Sequence, residues 1–160
     1  RVDSLSFELR GVVFAEAQVG FACGYGAILK STDAGLNWEF TSARNEFFSA
    51  LSFPNSEIGY AVGRTGTILK TEDQGESWTR LRNGNLQLVN RHAYNDVWFW
   101  NEDEGIVVGD QGLFLLTKDG GRSWQREEWP TKDHLFGIGN RPDGRVFVSG
   151  DKGHLWSLTL

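Results

Sequence analysis

Thr71-Glu-Asp-Gln-Gly-Glu-Ser-Trp78 decides the fold, because the chain repeats it. Ser31-Thr-Asp-Ala-Gly-Leu-Asn-Trp38 comes before it and Thr117-Lys-Asp-Gly-Gly-Arg-Ser-Trp124 after it, and all three read Ser/Thr-x-Asp-x-Gly-x-x-Trp. The tryptophans fall 40 and 46 residues apart. Self-similarity at such a period is the mark of stacked supersecondary units, each too small to bury its own apolar face.

The match extends upstream. Gly20-Phe-Ala-Cys-Gly24, Gly59-Tyr-Ala-Val-Gly63 and Gly105-Ile-Val-Val-Gly109 are each followed by a short turn and an apolar stretch. Those stretches are Ala27-Ile-Leu-Lys30, Thr67-Ile-Leu-Lys70 and Leu113-Phe-Leu-Leu116. A phenylalanine stands six residues before each leading glycine, as Phe14, Phe53 and Phe99. A fourth copy begins at Val146-Phe-Val-Ser-Gly150 and continues through His154-Leu-Trp-Ser157 without reaching an Asp-centred turn.

Within each unit the apolar runs last four to six residues, favour Val, Ile, Phe and Trp, and stop at Gly, Asn or Asp. That is strand grammar, and no segment sustains a helical period. Four strands in about 40 residues make a β-propeller blade. The first unit reads as strands a (Gly11–Phe14), b (Gly20–Gly24), c (Ala27–Ser31) and d (Asn37–Thr41). The expectation is one all-β propeller domain over residues 1–160, with units at about 10–41, 50–81, 96–127 and 135–160 plus 4–9. In that scheme Leu5–Leu9 is the missing strand d of the last blade, closing a small ring and hiding its edges; a larger ring is the alternative.

The repeated turn has a structural duty. Asp33, Asp73 and Asp119 can accept backbone N–H bonds within their own turns. Gly35, Gly75 and Gly121 supply a conformation that a Cβ obstructs. Trp38, Trp78 and Trp124 then open strand d and bury a large ring over the hairpin.

With 16 basic and 21 acidic residues the chain carries −5, so bulk charge excludes a nucleic-acid binder. No apolar run approaches a membrane span, and the chain reads as soluble and globular. The absence of Met suggests that Arg1 is not a translation start. Cys23, the one cysteine, lies in an apolar strand as a small buried hydrophobe rather than a reactive thiol.

With the Gly-[Tyr/Phe]-Ala-x-Gly strand preceding Gly-x-Ile-Leu-Lys-[Ser/Thr]-x-Asp-x-Gly-x-x-Trp, the chain resembles the BNR/Asp-box repeat proteins. Within them it is most similar to the photosystem II stability/assembly factor group, the Ycf48-like family. The Asp box itself is shared by sialidases, sortilin-type receptors and xyloglucanases, so it specifies the blade and not the job. The resemblance implies a seven-bladed ring, where this chain offers four units. It also implies an assembly chaperone of a reaction-centre subunit, and an exported protein of periplasm, thylakoid lumen or extracellular space.

Function is expected where the repeat breaks. Six extra residues separate Trp78 from Trp124, most of them in Arg80–Tyr94. Arg80, Arg82, Arg91, His92 and Tyr94 there, extended by Arg44 and Arg64, form the expected contact for a protein partner, with self-association as a further means of completing a ring. The alternative is a solvated loop with ordinary charges. No cofactor, metal, nucleic acid or catalytic residue is expected: His92, His134 and His154 lack ligand spacing. Asn101-Glu-Asp-Glu104 reads as a solvated turn, with calcium as the sharper alternative. The alternative in function is a glycan-binding or sialidase-like hydrolase propeller, for which Val97-Trp-Phe-Trp100 would be a stacking platform instead of core. Against it, a sialidase needs a Tyr nucleophile, and Tyr25 and Tyr60 occupy repeat positions, leaving Tyr94.

Overall fold

Each glycine that opens a Gly-x-x-x-Gly run faces a ring. In the computed structural model, which describes residues 8–82 and 92–159, Phe14 pairs across the strands with Gly20 and Phe99 with Gly105. A Cβ on Gly20, Gly59 or Gly105 would lie 2.8, 2.3 or 2.5 Å from the ring of Phe14, Phe53 or Phe99. The closing glycine answers to backbone instead. A Cβ on Gly24, Gly63, Gly109 or Gly150 would meet the carbonyl of Glu8, Phe47, Ala93 or His134 at 2.0–2.8 Å. The next residue donates its N–H to that same carbonyl, from Tyr25, Arg64, Asp110 and Asp151 at 2.9–3.0 Å. The motif is thus a steric record of how strand a lies on strand b.

Thirteen strands result among the described residues. β1 (Leu9–Phe14), β2 (Gly20–Ser31), β3 (Glu39–Ser52), β4 (Gly59–Gly63), β5 (Ile68–Thr71) and β6 (Thr79–Arg82) form one antiparallel sheet in chain order. β7 (Tyr94–Phe99), β8 (Gly105–Gly109), β9 (Leu113–Thr117) and β10 (Gln125–Arg126) form the second. β11 (Leu135–Asn140), β12 (Arg145–Gly150) and β13 (Leu155–Thr159) form the third. The architecture is the expected propeller type. Strand β2 runs through the expected b and c, and β3 runs through strand d of the first unit into strand a of the second, which joins two blades into one sheet.

Strand a begins two residues earlier than expected in the first and third units, at Leu9 and Tyr94, and where expected in the fourth, at Leu135. Leu9, expected as the end of a closing strand, pairs with Gly24 and opens β1; residues 5–7 of that expected strand lie outside the described residues. The core sits between units. Phe21, Cys23 and Ile28 pack on Phe48, Ala61 and Leu69. Tyr60, Val62 and Ile68 pack on Tyr94, Val97, Phe99 and Leu115. Ile106, Val108 and Phe114 pack on Leu135, Val148 and Trp156. Burial pushes the Cys23 thiol up to about 12, so it is inert core.

Candidate functional site

Two faces follow from the topology, and the Asp boxes occupy one of them. Asp73 accepts from the Ser77 N–H (2.9 Å), the Ser77 hydroxyl (2.6 Å) and the Thr71 hydroxyl (2.8 Å). Asp33 with Asn37 and Asp119 with Ser123 repeat the arrangement. The Thr71 hydroxyl in turn accepts from the Gly75 N–H at 2.8 Å. These bonds favour the charged carboxylate and hold Asp33 and Asp119 down at about 2. Ala34, Gln74 and Gly120 adopt left-handed φ values of 58°, 55° and 68° and donate their N–H groups to Gln18, Glu57 and Asp103 of the neighbouring a–b hairpins. The three Asp-box carboxylates are therefore engaged in holding their own turns together.

The opposite face carries the b–c turns and the starts of the a strands. There each a strand has a β-bulge at the same register. The pairing slips between Leu9 and Gly11, Phe48 and Ala50, Tyr94 and Asp96, and Leu135 and Gly137. The extra residues are Arg10, Ser49, Asn95 and Phe136. A bulge breaks the pleat and re-aims its side chain. Here the four bulged residues line one cavity of about 530 Å³, together with Glu8, Leu9, Arg64 and Asp110. The position repeats in geometry and not in sequence.

The cavity is chemically mixed. Arg10 sits 3.3 Å from Glu8 and 5.6 Å over the Tyr25 ring, and Arg64 Nη1 reaches the Tyr25 hydroxyl at 3.5 Å. Asn95 donates to Asp110 (3.0 Å) and to the Leu135 carbonyl (2.8 Å), tying the third unit to the fourth. His134 Nδ1 lies 2.9 Å from Asp110, and the exposed Phe136 ring stacks over His134. Beneath them Asp96 accepts from the Ile138 N–H (2.7 Å) and the Val97 N–H (2.8 Å). Burial pushes its carboxyl up despite both bonds. Such a rim suits an extended chain with acidic and apolar groups better than it suits proton transfer, because both oxygens of the one raised carboxyl are already taken by amides.

The sequence-expected residues that the structure describes divide between this cavity and the surrounding fold. Arg64 lines the cavity. Arg44 lies outside it, 4.6 Å over the Phe40 ring. Arg80 and Arg82 belong to β6 and are part of the repeat, not of an inserted loop. Arg80 is bound at 2.7 Å to Glu46, a buried carboxylate that also accepts from Thr65. Reversing its charge would leave that carboxylate opposed, so Arg80 is structural. Arg82 lies 5.8 Å over the Tyr94 ring, and Tyr94, only 4% exposed, is core instead of contact. His92 is partly buried, which lowers its pKa. Arg91 lies outside the described residues.

The aromatic strand is core as well. Trp98 and Trp100 pack into the cluster between the third and fourth units, and Trp129 stacks on Phe114 and meets Trp156 edge-on. Asn101 caps the acidic turn by accepting from the Asp103 and Glu104 N–H groups. Among the described residues no three His, Cys, Asp or Glu side chains gather as a metal requires, and no helix is long and apolar enough to cross a membrane. Repeat reasoning missed Arg10, Ser49, Asn95 and Phe136. They stand four residues before Phe14, Phe53, Phe99 and Asn140, at a position where the aligned units share no chemistry.

The family described as photosynthesis system II assembly factor YCF48 matches residues 4–87, just over half of the chain. No match was found among curated proteins. Among solved structures, YCF48 bound to D1 peptide superposes with a TM-score of 0.75 at 18% identity, covering 99% of this chain and 56% of that one. YCF48 from Cyanidioschyzon merolae gives 0.75 at 18%, covering 98% and 55%. The GH74 xyloglucanase from Xanthomonas campestris gives 0.73 at 16%, covering 94% and 29%. The chain therefore spans little more than half the length of these YCF48 structures, and at such identities the superpositions show the fold.

Proposed function

The chain belongs to the photosystem II assembly factor YCF48 family, and we propose that it is a non-enzymatic scaffold that holds an extended segment of a protein partner in the mouth ringed by Arg10, Ser49, Asn95 and Phe136. The observation that carries this reading is the repeated bulge. Four units spend the same irregularity on aiming four different side chains at one point, while every other repeated feature is absorbed by folding. Bulges at a sheet rim re-aim residues in this way beside functional sites. A YCF48 in complex with a D1 peptide supports a peptide segment as the ligand and a subunit of a membrane complex as its source. Arg10 and Arg64 would pair with carboxylates of the segment, and Phe136, Leu9 and Tyr25 would cover its apolar side chains.

Selection of peptides from a displayed random library tests this. Binders enriched in acidic and apolar residues are expected, weakening as salt rises. Arg10→Glu with Arg64→Glu should reduce their affinity well over tenfold and leave the melting temperature almost unchanged, because both charges are at the surface. Equal binding by the wild type and the double variant would remove the mouth from the account.

A further inference from the structure

The residue after the closing glycine holds one place in every unit. Tyr25, Arg64, Asp110 and Asp151 each donate a backbone N–H, at 2.9–3.0 Å, to the residue just before the one that pairs with that glycine. Their side chains therefore leave equivalent turns at the bulged end of the blades. The turn is constant and its chemistry is not. The series runs phenol, guanidinium, carboxylate, carboxylate, and its charge changes sign between the second and third units.

The cavity at this end contains that change of sign. Its charged lining residues are Glu8, Arg10, Arg64 and Asp110. Glu8 and Arg10 offset each other across 3.3 Å. Arg64 reaches the Tyr25 hydroxyl at 3.5 Å and not a carboxylate. Asp110 receives Asn95 Nδ2 at 3.0 Å and His134 Nδ1 at 2.9 Å, both on Oδ1, so Oδ2 is the acceptor that remains for an occupant. Among the described residues, Arg64 and Asp110 thus line one cavity as a cation and an anion that do not pair with each other. Each has a ring at its side: Tyr25 beside Arg64, and the exposed Phe136 stacked on the His134 that meets Asp110. Asp151 extends the acidic side and accepts from the His134 N–H at 2.9 Å, while Lys152 next to it is bound to Asp133 at 2.7 Å.

We propose that the segment held in this mouth is dipolar and lies in one direction. Its acidic residue meets Arg64 on the side of the first two units, and a lysine or arginine of the same segment meets Asp110 on the side of the last two. Opposite charges that line a cavity without neutralising each other complement a ligand carrying both signs. They also reject the wrong one, because a carboxylate placed at Asp110 or an ammonium placed at Arg64 is repelled. A purely acidic segment would use only half of the site. The inference rests on the mouth being the partner site and adds to it the sign of the second anchor and the direction of the segment.

Peptides selected from the displayed random library on the wild-type chain are the probe. Selected sequences should carry a lysine or arginine at a recurring distance from an aspartate or glutamate. Replacing that cation by glutamine in the peptide should weaken binding at least about fivefold. Asp110→Asn, which keeps an acceptor oxygen for Asn95 and His134, should weaken the parent peptide by the same factor and leave the glutamine peptide unchanged. A nitroxide on the acidic end of the peptide should broaden the amide signals of Tyr25 and Arg64, and one on the basic end those of Asp110 and Phe136. Binders that need Arg10 and Arg64 but carry no cation overturn the proposal. So does an Asp110→Asn variant that weakens both peptides alike, or broadening that is the same from both ends. Each of those results leaves the mouth in place as the partner site. Broadening at the Asn37, Ser77 and Ser123 amides instead overturns both readings.

Discussion

The junction between the second and third units and the junction between the third and fourth solve the same packing problem with different parts. At the first, Tyr60 lies flat on Phe99, Trp124 closes the edge, and the Tyr60 hydroxyl donates to the Glu102 and Gly120 carbonyls at 3.0 and 3.2 Å. At the second, Ile106 stands where Tyr60 would, and Asn140 pairs with Val146 where Phe99 pairs with Gly105. Here the rings come from elsewhere. Trp129, in the connection before β11, stacks on Phe114 at 4.7 Å and meets Trp156 at 5.7 Å. The lesson is that phenylalanine, glycine and Asp-box tryptophan form one unit of packing. Where Asn140 stands in place of the phenylalanine, Val146 stands in place of the glycine, and the aromatic surface comes from the connecting segment.

Alanine substitution at two glycines should break the comparison most sharply. Gly105→Ala pushes a methyl to 2.5 Å from a Phe99 ring that Tyr60 and Trp124 hold in place. We expect a loss of about 3 kcal/mol by chemical denaturation, as for overpacking that cannot relax. Gly139→Ala, in the fourth unit with nothing within 4 Å of the new Cβ, should stay within about 0.5 kcal/mol of the wild type. Similar losses at the two sites would show that the steric reading of the motif is wrong.

A smaller effect separates the polar component of the first junction from its stacking. Tyr60→Phe keeps the ring and removes the hydroxyl that joins the second unit to two carbonyls of the third. A cost of about 1 kcal/mol is expected. No change would mean that stacking alone holds this junction.

Acid should distinguish the junctions by sign. Hydrogen bonds depress the Asp33 and Asp119 carboxyls to about 2 and lower Asp73 as well. A depressed group contributes stability that is present above its unfolded value near 4 and is lost as pH falls towards 2. Asp96, at the junction of the third and fourth units, is raised by burial, so the fold favours its protonated form and acid does not weaken that contact through it. Hydrogen exchange read from pH 4 to pH 2 should therefore show the Asn37, Ser77 and Ser123 amides losing protection before the β11–β12 ladder. Simultaneous loss in both regions would contradict the assignment.

Much of this fold was legible, because each repeated residue has one steric reason and the reason recurs. Phe14 with Gly20, the Asp33 turn and the Trp38 edge could all be read from spacing. The bulges could not. An extra residue at Arg10, Ser49, Asn95 or Phe136 flips the alternation of side chains upstream of it, so strand a looked as though it began at Gly11 and Asp96 when it begins at Leu9 and Tyr94. That slip moved Tyr94 from the core to an imagined loop and hid Asn95, the residue that reaches the cavity. Arg80 was misplaced for a different reason. A cation at the end of a strand looks the same in sequence whether it meets solvent or a carboxylate, and Glu46, buried 34 residues earlier, carries no local sign of its partner.

The central claim is that the bulged residues of successive units form one partner site. Backbone and side-chain chemical-shift mapping of the isotope-labelled chain, titrated with a library-selected peptide, tests it most directly. The account predicts that the largest shifts fall on Arg10, Ser49, Asn95 and Phe136 with Arg64 and Tyr25, and that the Asn37, Ser77 and Ser123 amides of the Asp boxes stay still. Shifts concentrated on the Asp-box face, with the four bulged residues unmoved, would contradict it.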